Sequence, residues 1–302
     1  MTKRVRIGSR GSKLALIQAE KVKSLLHRVN SDWQYDIVII KTTGDIDRTS
    51  PIHQIGGKGV FIKELENALS RNEIDIAVHS LKDMTSKPLE GFPLVGFLRP
   101  EAITDALVAR NPHQRLEDLP AGSTVATGSM RRKAVLMQSY PHIRTVDIRG
   151  NVNTRLQKLQ SGEFDALLLS EAGLIRLGVQ DVITQRFDPA EFCPAPGQGV
   201  ITIQNNAKDT QLLDAIVAIS DPEQVIKSKI ELSFLERLEF NCHTPLGACT
   251  TIAENNVHMQ LFLANEAMDR FLNTTLTWAL SDAHKGARNA ADMVVSWLKD
   301  LC

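Results

Sequence analysis

Arginine recurs beside small polar residues at three points where a predicted strand gives way to a predicted helix. Open α/β sheets bind ligands beyond the carboxyl ends of their strands, where helix N-termini present free backbone N–H groups to anions. An arginine in the first helical turn opposes the helix dipole by about 0.3–1 kcal/mol, so its repeated placement there indicates a bound anion. The planar guanidinium suits bidentate carboxylate binding. The three segments are Ser9-Arg10-Gly11-Ser12, Thr127-Gly128-Ser129-Met130-Arg131-Arg132 and Ile148-Arg149-Gly150-Asn151.

For any single junction, a solvated surface arginine is the alternative interpretation. Three junctions of the same kind favour ligand binding. Arg155 and Arg176 fall close to the same predicted sheet edge and join the candidate set.

Two further segments place ionisable groups beside predicted strands. The run His79-Ser80-Leu81-Lys82-Asp83 follows the predicted strand 74–78, and it is either a capping network or part of a site. The glycine loop 56–59 lacks the spacing of a phosphate-binding loop. A tight turn or flexible lid is favoured there, with Lys58 as a candidate ligand contact.

Cys242 follows a long predicted helix and lies in a polar loop beside His243. A buried thiol and a nucleophilic loop cysteine both remain open for it. A metal site formed by Cys242, His243 and Cys249 lacks a recognisable ligand spacing and a fourth ligand, so no metal is expected.

The elements that must position these residues alternate between strand and helix. Strands are predicted at 5–9, 35–41, 74–78, 106–108, 124–127, 145–148 and 164–169, with helical periodicity between them. This alternation indicates parallel sheets covered on both faces, in two units.

The pattern changes from Asp221, which caps a helix with Pro222 at its first position and a predicted end near Glu239. Antiparallel strands at 257–264, 270–273 and 275–280 and a helix over 286–301 predict a small α+β domain. We therefore expect three domains: 1–99 with 200–217, then 100–199, then 218–302.

Composition limits the function classes. The 302 residues hold 35 lysines and arginines against 35 aspartates and glutamates, so no global field favours nucleic acid or an anionic membrane. No signal peptide or membrane span is predicted. The four cysteines are too few and scattered for a secreted disulfide framework, which predicts a cytoplasmic protein with reduced thiols.

In order along nearly the whole chain, seven motifs resemble those of the hydroxymethylbilane synthase (porphobilinogen deaminase) family. They are Arg10-Gly11-Ser12-Lys13-Leu14-Ala15-Leu16, Gly56-Gly57-Lys58-Gly59-Val60-Phe61-Ile62-Lys63-Glu64-Leu65-Glu66, His79-Ser80-Leu81-Lys82-Asp83, Ser129-Met130-Arg131-Arg132, Arg149-Gly150-Asn151-Val152 with Thr154-Arg155-Leu156, Pro194-Ala195-Pro196-Gly197-Gln198-Gly199, and Cys242 with Pro245-Leu246-Gly247-Ala248.

The resemblance implies a transferase of tetrapyrrole and haem biosynthesis. It would condense four porphobilinogens head to tail, with loss of ammonia, into hydroxymethylbilane. The primer would be a dipyrromethane cofactor in thioether linkage to Cys242, and Asp83 would be the catalytic carboxylate. The residues that would bind cofactor and substrate are Arg10, Ser12, Lys58, Ser80, Lys82, Thr127, Ser129, Arg131, Arg132, Arg149, Arg155 and Arg176.

The implied fold is two periplasmic-binding-protein-like lobes with mixed, mostly parallel sheets, plus a small C-terminal α+β domain. The partners expected are porphobilinogen and the growing acidic oligopyrrole, with no nucleic acid and no membrane, and the chain is expected to be a monomer. A small-anion binding protein on the same fold and a catalytically weak divergent paralogue are the alternatives.

Several positions depart from the family pattern, among them Gln54, Thr85, Gly128, Glu171 and Asn241. Glu171 matters most, because a glutamate facing the cleft would repel an acidic chain.

Overall fold

The computed structural model describes residues 2–42, 62–206, 208–238 and 244–300. Contacts divide the chain into two compact units, Met1–Pro100 with Val200–Ser228 and Glu101–Gly199 with Lys229–Cys302. The expected three-domain division, with boundaries at 99, 199 and 217, stays a prediction.

Twenty-one helices and strands in the described residues concern us here. Up to residue 160 they are β1 (Arg4–Arg10), α1 (Lys13–Val29), β2 (Gln34–Ile40), α2 (Lys63–Ser70), β3 (Ile76–Ser80), β4 (Leu94–Phe97), β5 (Asp105–Ala109), β6 (Thr124–Ala126), α3 (Met130–Ser139), β7 (Arg144–Val146) and α4 (Val152–Gln160). They continue with β8 (Ala166–Ser170), α5 (Glu171–Arg176), β9 (Gln185–Arg186), β10 (Ile201–Asn205), α6 (Thr210–Ile219), α7 (Pro222–Leu238), β11 (Leu246–Ala253), β12 (Asn256–Ala264), β13 (Phe271–Ala279) and α8 (Ala283–Lys299).

The sheet of the first unit has the strand order β2-β1-β3-β10-β4. β1 pairs in parallel with β2 and β3, whereas β10 runs antiparallel to both β3 and β4. Four of the five strands therefore point the same way. Ile7, Ile76 and Ile203 are completely buried in the core of this sheet, which is why its central strands read as apolar runs.

The second unit contains a five-stranded sheet with the order β7-β6-β8-β5-β9. β6 pairs in parallel with β7 and β8, and β5 runs antiparallel to β8 and β9. Short loops lead from the end of β6 to the start of α3 and from the end of β7 to the start of α4. Ser129 and Asn151 cap these helices, because their side chains accept hydrogen bonds from Arg132 N at 3.4 Å and Thr154 N at 2.9 Å.

A three-stranded antiparallel sheet, β11-β12-β13, forms the C-terminal part of the second unit. Its apolar face packs on α8 and on the end of α7, and Phe234, Met259 and Val294 are completely buried there. The amphipathic pattern of α8 explains this placement, because one stripe of the helix is apolar.

The predicted fold class is confirmed, with local corrections. The strand predicted at 74–78 is Ile76–Ser80, and the two strands predicted at 270–273 and 275–280 form one strand, Phe271–Ala279. The helix predicted to start at Pro222 does so, and Asp221 caps it by accepting from Gln224 N at 2.8 Å.

Strands β4, β9, β10 and β11 and helix α6 were not predicted. Three of these strands pair with partners far along the chain, β4 with β10, β9 with β5 and β10 with β3, whereas β11 forms a hairpin with β12. Among the described helices, none has the combined length and apolar character that crossing a bilayer requires.

Candidate active site

In the first unit, adjacent parallel strands bring several predicted site residues to one sheet edge. The β1–β3 register pairs Ile7 with Ile76 and Gly8 with Ala77, so Arg10 lies beside the segment 79–83. His79 and Ser80 end β3, and residues 81–83 form a single tight turn that is fixed by the buried Leu81, whose N–H donates to Val200 O at 2.9 Å. Lys82 and Asp83 are half-buried at the end of this turn.

The two serines of this edge have defined hydrogen bonds. The Ser12 hydroxyl accepts from Ala15 N at 3.3 Å and so caps α1, while the Ser80 hydroxyl accepts from Gln18 Nε2 at 2.9 Å. The N-terminus of α1 and the end of β3 therefore sit side by side, and both present polar groups where an anion is favoured.

His79 has a structural role within the same segment. It is buried, and its Nε2 lies 3.2 Å from Gln204 Oε1. Gln204 Nε2 already donates to Glu66 Oε1 and Phe92 O, which leaves Gln204 Oε1 to accept a hydrogen from the imidazole. Burial, against the opposing effect of the Gln204 hydrogen bond and with a smaller contribution from the nearby positive charge of Arg10, lowers the pKa of His79 to about 4. The ring is therefore neutral near pH 7 and holds β3 against β10.

In the second unit, Arg131 and Arg132 share one buried counter-ion, Asp105. Arg132 donates from Nε at 3.0 Å and Nη2 at 2.7 Å to Asp105 Oδ1, and Arg131 Nη2 lies 2.7 Å from Asp105 Oδ2. Burial alone raises the pKa of Asp105, but the charges of Arg131 and Arg132 outweigh it and hold that pKa below its usual range. The carboxylate is therefore ionised across the whole working range of pH.

One further nitrogen of each arginine donates to a backbone carbonyl. Arg131 Nη1 donates to Cys193 O at 2.7 Å and Arg132 Nη1 to Leu168 O at 2.8 Å. Arg131 Nε is buried and has no hydrogen-bond partner among the described residues. Two guanidinium charges against one carboxylate leave an excess positive charge and an unused donor, which suits an anionic ligand.

Arg149 and Arg155 extend the positive charge from the start of α4. Arg155 Nε donates to Gly150 O at 2.8 Å. Burial, together with the like charges of Arg132 and Arg149, lowers the pKa of Arg155 to about 10. The neighbouring positive charges make the charged form of Arg155 less stable, and a nearby anion offsets this effect. The cluster is therefore suited to binding carboxylates.

Thr127 and Ser129 act on the backbone of the loop before α3. Thr127 is completely buried, and its hydroxyl accepts from Ser129 N at 3.2 Å. Both residues thereby shape the turn that carries Arg131 and Arg132.

Arg176 ends α5 and is held by Glu101. Its Nε and Nη2 donate to Glu101 Oε2 at 2.9 Å and 2.6 Å, and Nη2 also donates to Gly199 O. The guanidinium is thus placed by one carboxylate and one carbonyl of the same unit.

The departure at Glu171 has an internal explanation. Its buried carboxylate accepts from the Thr104 hydroxyl and from Arg186 Nε, so both oxygens have partners within the unit. Because Arg186 balances its charge, Glu171 serves to tie the start of α5 to the segment before β5.

Three residues with structural importance escaped the sequence analysis: Glu101, Asp105 and Glu231. The carboxylate of Glu231 accepts from Gly197 N at 2.7 Å and Thr250 N at 2.9 Å, joining the glycine-containing loop 194–199 to β11. The one local signal for Asp105 was its position directly before the predicted strand 106–108, and nothing local indicated Glu101 or Glu231.

Gly247 explains one element of the motif that follows Cys242. An added Cβ there would lie 2.7 Å from Cys193 O, so only glycine lets β11 approach the loop so closely. The thiols of Cys193 and Cys249 are buried next to each other in this region. A hydrogen bond from Cys249 and burial raise the pKa of Cys193, which keeps it a protonated, unreactive thiol.

Two predicted site residues, Lys58 and Cys242, lie outside the described residues, as do Gln54, Asn241 and Cys302. Their predicted roles stay predictions.

The topology and the basic residues define a class: an α/β protein whose two larger sheets carry positively charged side chains near their strand ends, where they suit anionic ligands. Residues 5–214 match the family model described as "Porphobilinogen deaminase, dipyromethane cofactor binding domain". The chain belongs to the porphobilinogen deaminase family. It is thus a transferase of tetrapyrrole biosynthesis with a dipyrromethane cofactor, and the alternative of a small-anion binding protein is not favoured.

Curated relatives agree over most of the chain. The probable porphobilinogen deaminase of Methanocella arvoryzae is 44% identical over 247 residues, covering 82% of this chain and 80% of the relative. The porphobilinogen deaminase of Lachnospira eligens is 39% identical, covering 94% and 97%, and that of Synechococcus elongatus is 39% identical, covering 98% and 94%. Among solved structures, an arginine-specific periplasmic binding protein of Salmonella typhimurium matches at 14% identity and a TM-score of 0.40, covering 74% of this chain and 96% of that one.

Proposed function

We propose that this chain builds hydroxymethylbilane from four porphobilinogens on a dipyrromethane primer bound to Cys242, with Asp83 as the catalytic carboxylate. The arginine-rich strand ends carry this proposal, because each added pyrrole brings two more carboxylates that need cationic partners. Local clusters meet this need in a chain with no net charge.

The cofactor's acidic side chains fit the second unit. The excess charge at Arg131 and Arg132, together with the buried Arg131 Nε that lacks a partner among the described residues, matches a ligand that carries carboxylates. Arg155 adds a third cation. Its neighbours destabilise the charged form of Arg155, and a bound anion would stabilise it. When bound, the cofactor supplies the free pyrrole carbon from which the chain grows.

Asp83 suits the chemical step. Loss of ammonia from porphobilinogen leaves positive charge on the pyrrole and its methylene carbon, and a fixed carboxylate stabilises such charge by several kcal/mol in a dry site. The backbone of the tight turn 81–83 is anchored by the hydrogen bond from Leu81 N to Val200 O, which supports a defined position for this carboxylate. Lys82, its neighbour, offers a cation for a substrate carboxylate.

We propose further that Arg10 and Ser12 bind substrate at the α1 N-terminus, together with Ser80 and Lys58. Arg149 and Arg176 would bind the growing chain, while Thr127 and Ser129 shape the turn beside it. The protein would act as a monomer in the cytoplasm, on porphobilinogen and its oligomers, without nucleic acid or membrane.

Cys242 is the best attachment thiol because the two described cysteines are buried and Cys193 is held protonated. A neighbouring imidazole such as that of His243 lowers a thiol pKa and favours the thiolate.

The test is intact-protein mass spectrometry of protein expressed with porphobilinogen available, combined with an acidic aldehyde reagent for pyrroles. The wild type should carry the mass of one dipyrromethane and should stain. Cys242→Ser should lose mass, stain and activity, whereas the matched control Cys249→Ser should keep all three. An unmodified wild type, or an adduct on a different cysteine, would overturn the attachment assignment.

A further inference from the structure

Ser170 ends β8 at the sheet edge of the second unit, directly opposite the counter-ion of the arginine pair. In the antiparallel register of β5 and β8, Asp105 is the partner of Ser170. The next residues of this register are joined by the hydrogen bond from Glu171 N to Thr104 O at 3.1 Å. Asp105 and Ser170 are therefore a pair without ladder hydrogen bonds, the kind in which opposite side chains approach each other most closely.

Ser170 also shares a sheet face with the arginine that Asp105 holds. Side chains along a strand alternate between the two faces of a sheet, so Ser170 lies on the face of Leu168. Leu168 packs in the same core cluster as Leu136 of α3, which makes this the face that α3 covers. Arg132 of α3 donates from Nη1 to Leu168 O at 2.8 Å and from Nε to Asp105 Oδ1 at 3.0 Å. Its guanidinium is thus held by the residue opposite Ser170 and by the residue two positions before it.

The Ser170 hydroxyl is not used by the framework of the unit. Ser170 precedes α5, but its side chain makes no cap hydrogen bond to that helix, and no hydrogen bond joins the hydroxyl to another described residue. The oxygens of Asp105 face other donors, because Oδ1 accepts from Arg132 and Oδ2 lies 2.7 Å from Arg131 Nη2. Ser170 is half-buried whereas Asp105 is completely buried, so the hydroxyl is accessible to a molecule from outside.

The charges at this sheet edge favour an anion. Two carboxylates lie here, Asp105 and Glu171. The first faces two arginines, Arg131 and Arg132, and the second is paired with Arg186. Three arginines against two carboxylates leave one positive charge in excess. A hydroxyl beside such a charge suits a carboxylate ligand, because it adds an O–H···O⁻ hydrogen bond to the attraction of the cation.

We propose that Ser170 is a further binding residue of this site, whose hydroxyl donates a hydrogen bond to a pyrrole carboxylate held beside Arg132. The inference rests on the proposed function, since it takes the ligand to be an acidic pyrrole. No covalent bond forms or breaks in this contact. The cofactor and the substrate carry the same acetate and propionate groups, so the experiment must separate these two sources of the carboxylate.

The experiment removes the hydroxyl with Ser170→Ala, which leaves a small side chain at the end of the strand. Loss of one hydrogen bond to a charged group at a half-buried position weakens binding about three- to tenfold. Cofactor loading is measured as the rate at which protein expressed without porphobilinogen gains the mass of one dipyrromethane when porphobilinogen is added. Substrate binding is measured as the steady-state KM and kcat of fully loaded enzyme.

Each source of the carboxylate has its own expected result. If the cofactor supplies it, loading of Ser170→Ala should be about three- to tenfold slower, while the KM of loaded enzyme stays within about twofold of wild type. If the substrate supplies it, KM for porphobilinogen should rise about three- to tenfold while loading stays normal. Either change, or both together, supports the inference. Ser170→Thr keeps the hydroxyl and should stay within about twofold of wild type in both measurements.

The matched control is Ser139→Ala, the same substitution at the exposed last residue of α3, at the opposite end of that helix from Arg132. It should leave both measurements unchanged. Normal loading and normal KM in Ser170→Ala would overturn the inference, as would an equal loss in Ser170→Thr or in Ser139→Ala. If the wild type itself gains no dipyrromethane and consumes no porphobilinogen, the proposed function fails instead, so the two failures can be told apart.

Discussion

Replacing Asp105 with asparagine should destabilise the second unit strongly, because its carboxylate is completely buried and serves two arginines. The asparagine oxygen can replace Oδ1 and keep the bonds from Arg132 and Gln198, but without a charge. The amide nitrogen would take the place of Oδ2, 2.7 Å from Arg131 Nη2, where two donors face each other. Charge-assisted hydrogen bonds contribute about 1.5–3 kcal/mol each and neutral ones about 1, and breaking a buried ion pair costs about 3–5 kcal/mol.

We therefore expect the free energy of unfolding to fall by about 3–5 kcal/mol for Asp105→Asn, measured by urea denaturation followed by far-UV circular dichroism. Glu163→Gln removes an exposed carboxylate instead and should change stability by less than about 0.5 kcal/mol. A loss of less than about 1 kcal/mol in Asp105→Asn would refute the view that this carboxylate is the essential counter-ion of the pair.

Three further outcomes are expected. Asp83→Ala should abolish product formation without unfolding the protein, and turnover within about tenfold of wild type, a loss below about 1.4 kcal/mol, would remove Asp83 from the catalytic role. Arg149→Leu should stall elongation through the loss of a pair contributing about 1.5–3 kcal/mol, so trapped enzyme–substrate complexes should show shorter chains by mass spectrometry; a normal tetrapyrrole yield would contradict this. Because folding holds the pKa of His79 near 4, below its ordinary value, the unfolded chain binds the extra proton first, and stability is lost as pH falls from about 6.5 towards 4. The wild type should lose about 2 kcal/mol from this group between pH 7 and pH 5, and an equally steep loss in His79→Gln would disprove that origin.

Much of the architecture could be read from local patterns. The alternation of strands and helices predicted the α/β class, and the Asp221-Pro222 pair predicted the start of α7 correctly. Boundaries were less accurate, as the shift of β3 to Ile76–Ser80 illustrates. Hydrophobic periodicity reports which face is buried, and it says little about where backbone pairing stops.

The long-range strands could not be predicted in this way. β10 lies between β3 and β4 and runs against both, although more than a hundred residues separate it from either strand. Such a strand is defined by hydrogen bonds to distant partners, so its local sequence carries only part of the signal.

The sequence by itself determined which chemistry is available: arginines at strand ends for carboxylates, Asp83 after a buried strand, and a cysteine in a polar loop. Only the tertiary structure decided how each arginine is held, by pairing Arg131 and Arg132 with Asp105 and Arg176 with Glu101. The reason is physical. Residue type and local spacing set propensity and charge, whereas the partner of a buried charge is chosen by the packing of elements far apart in the chain.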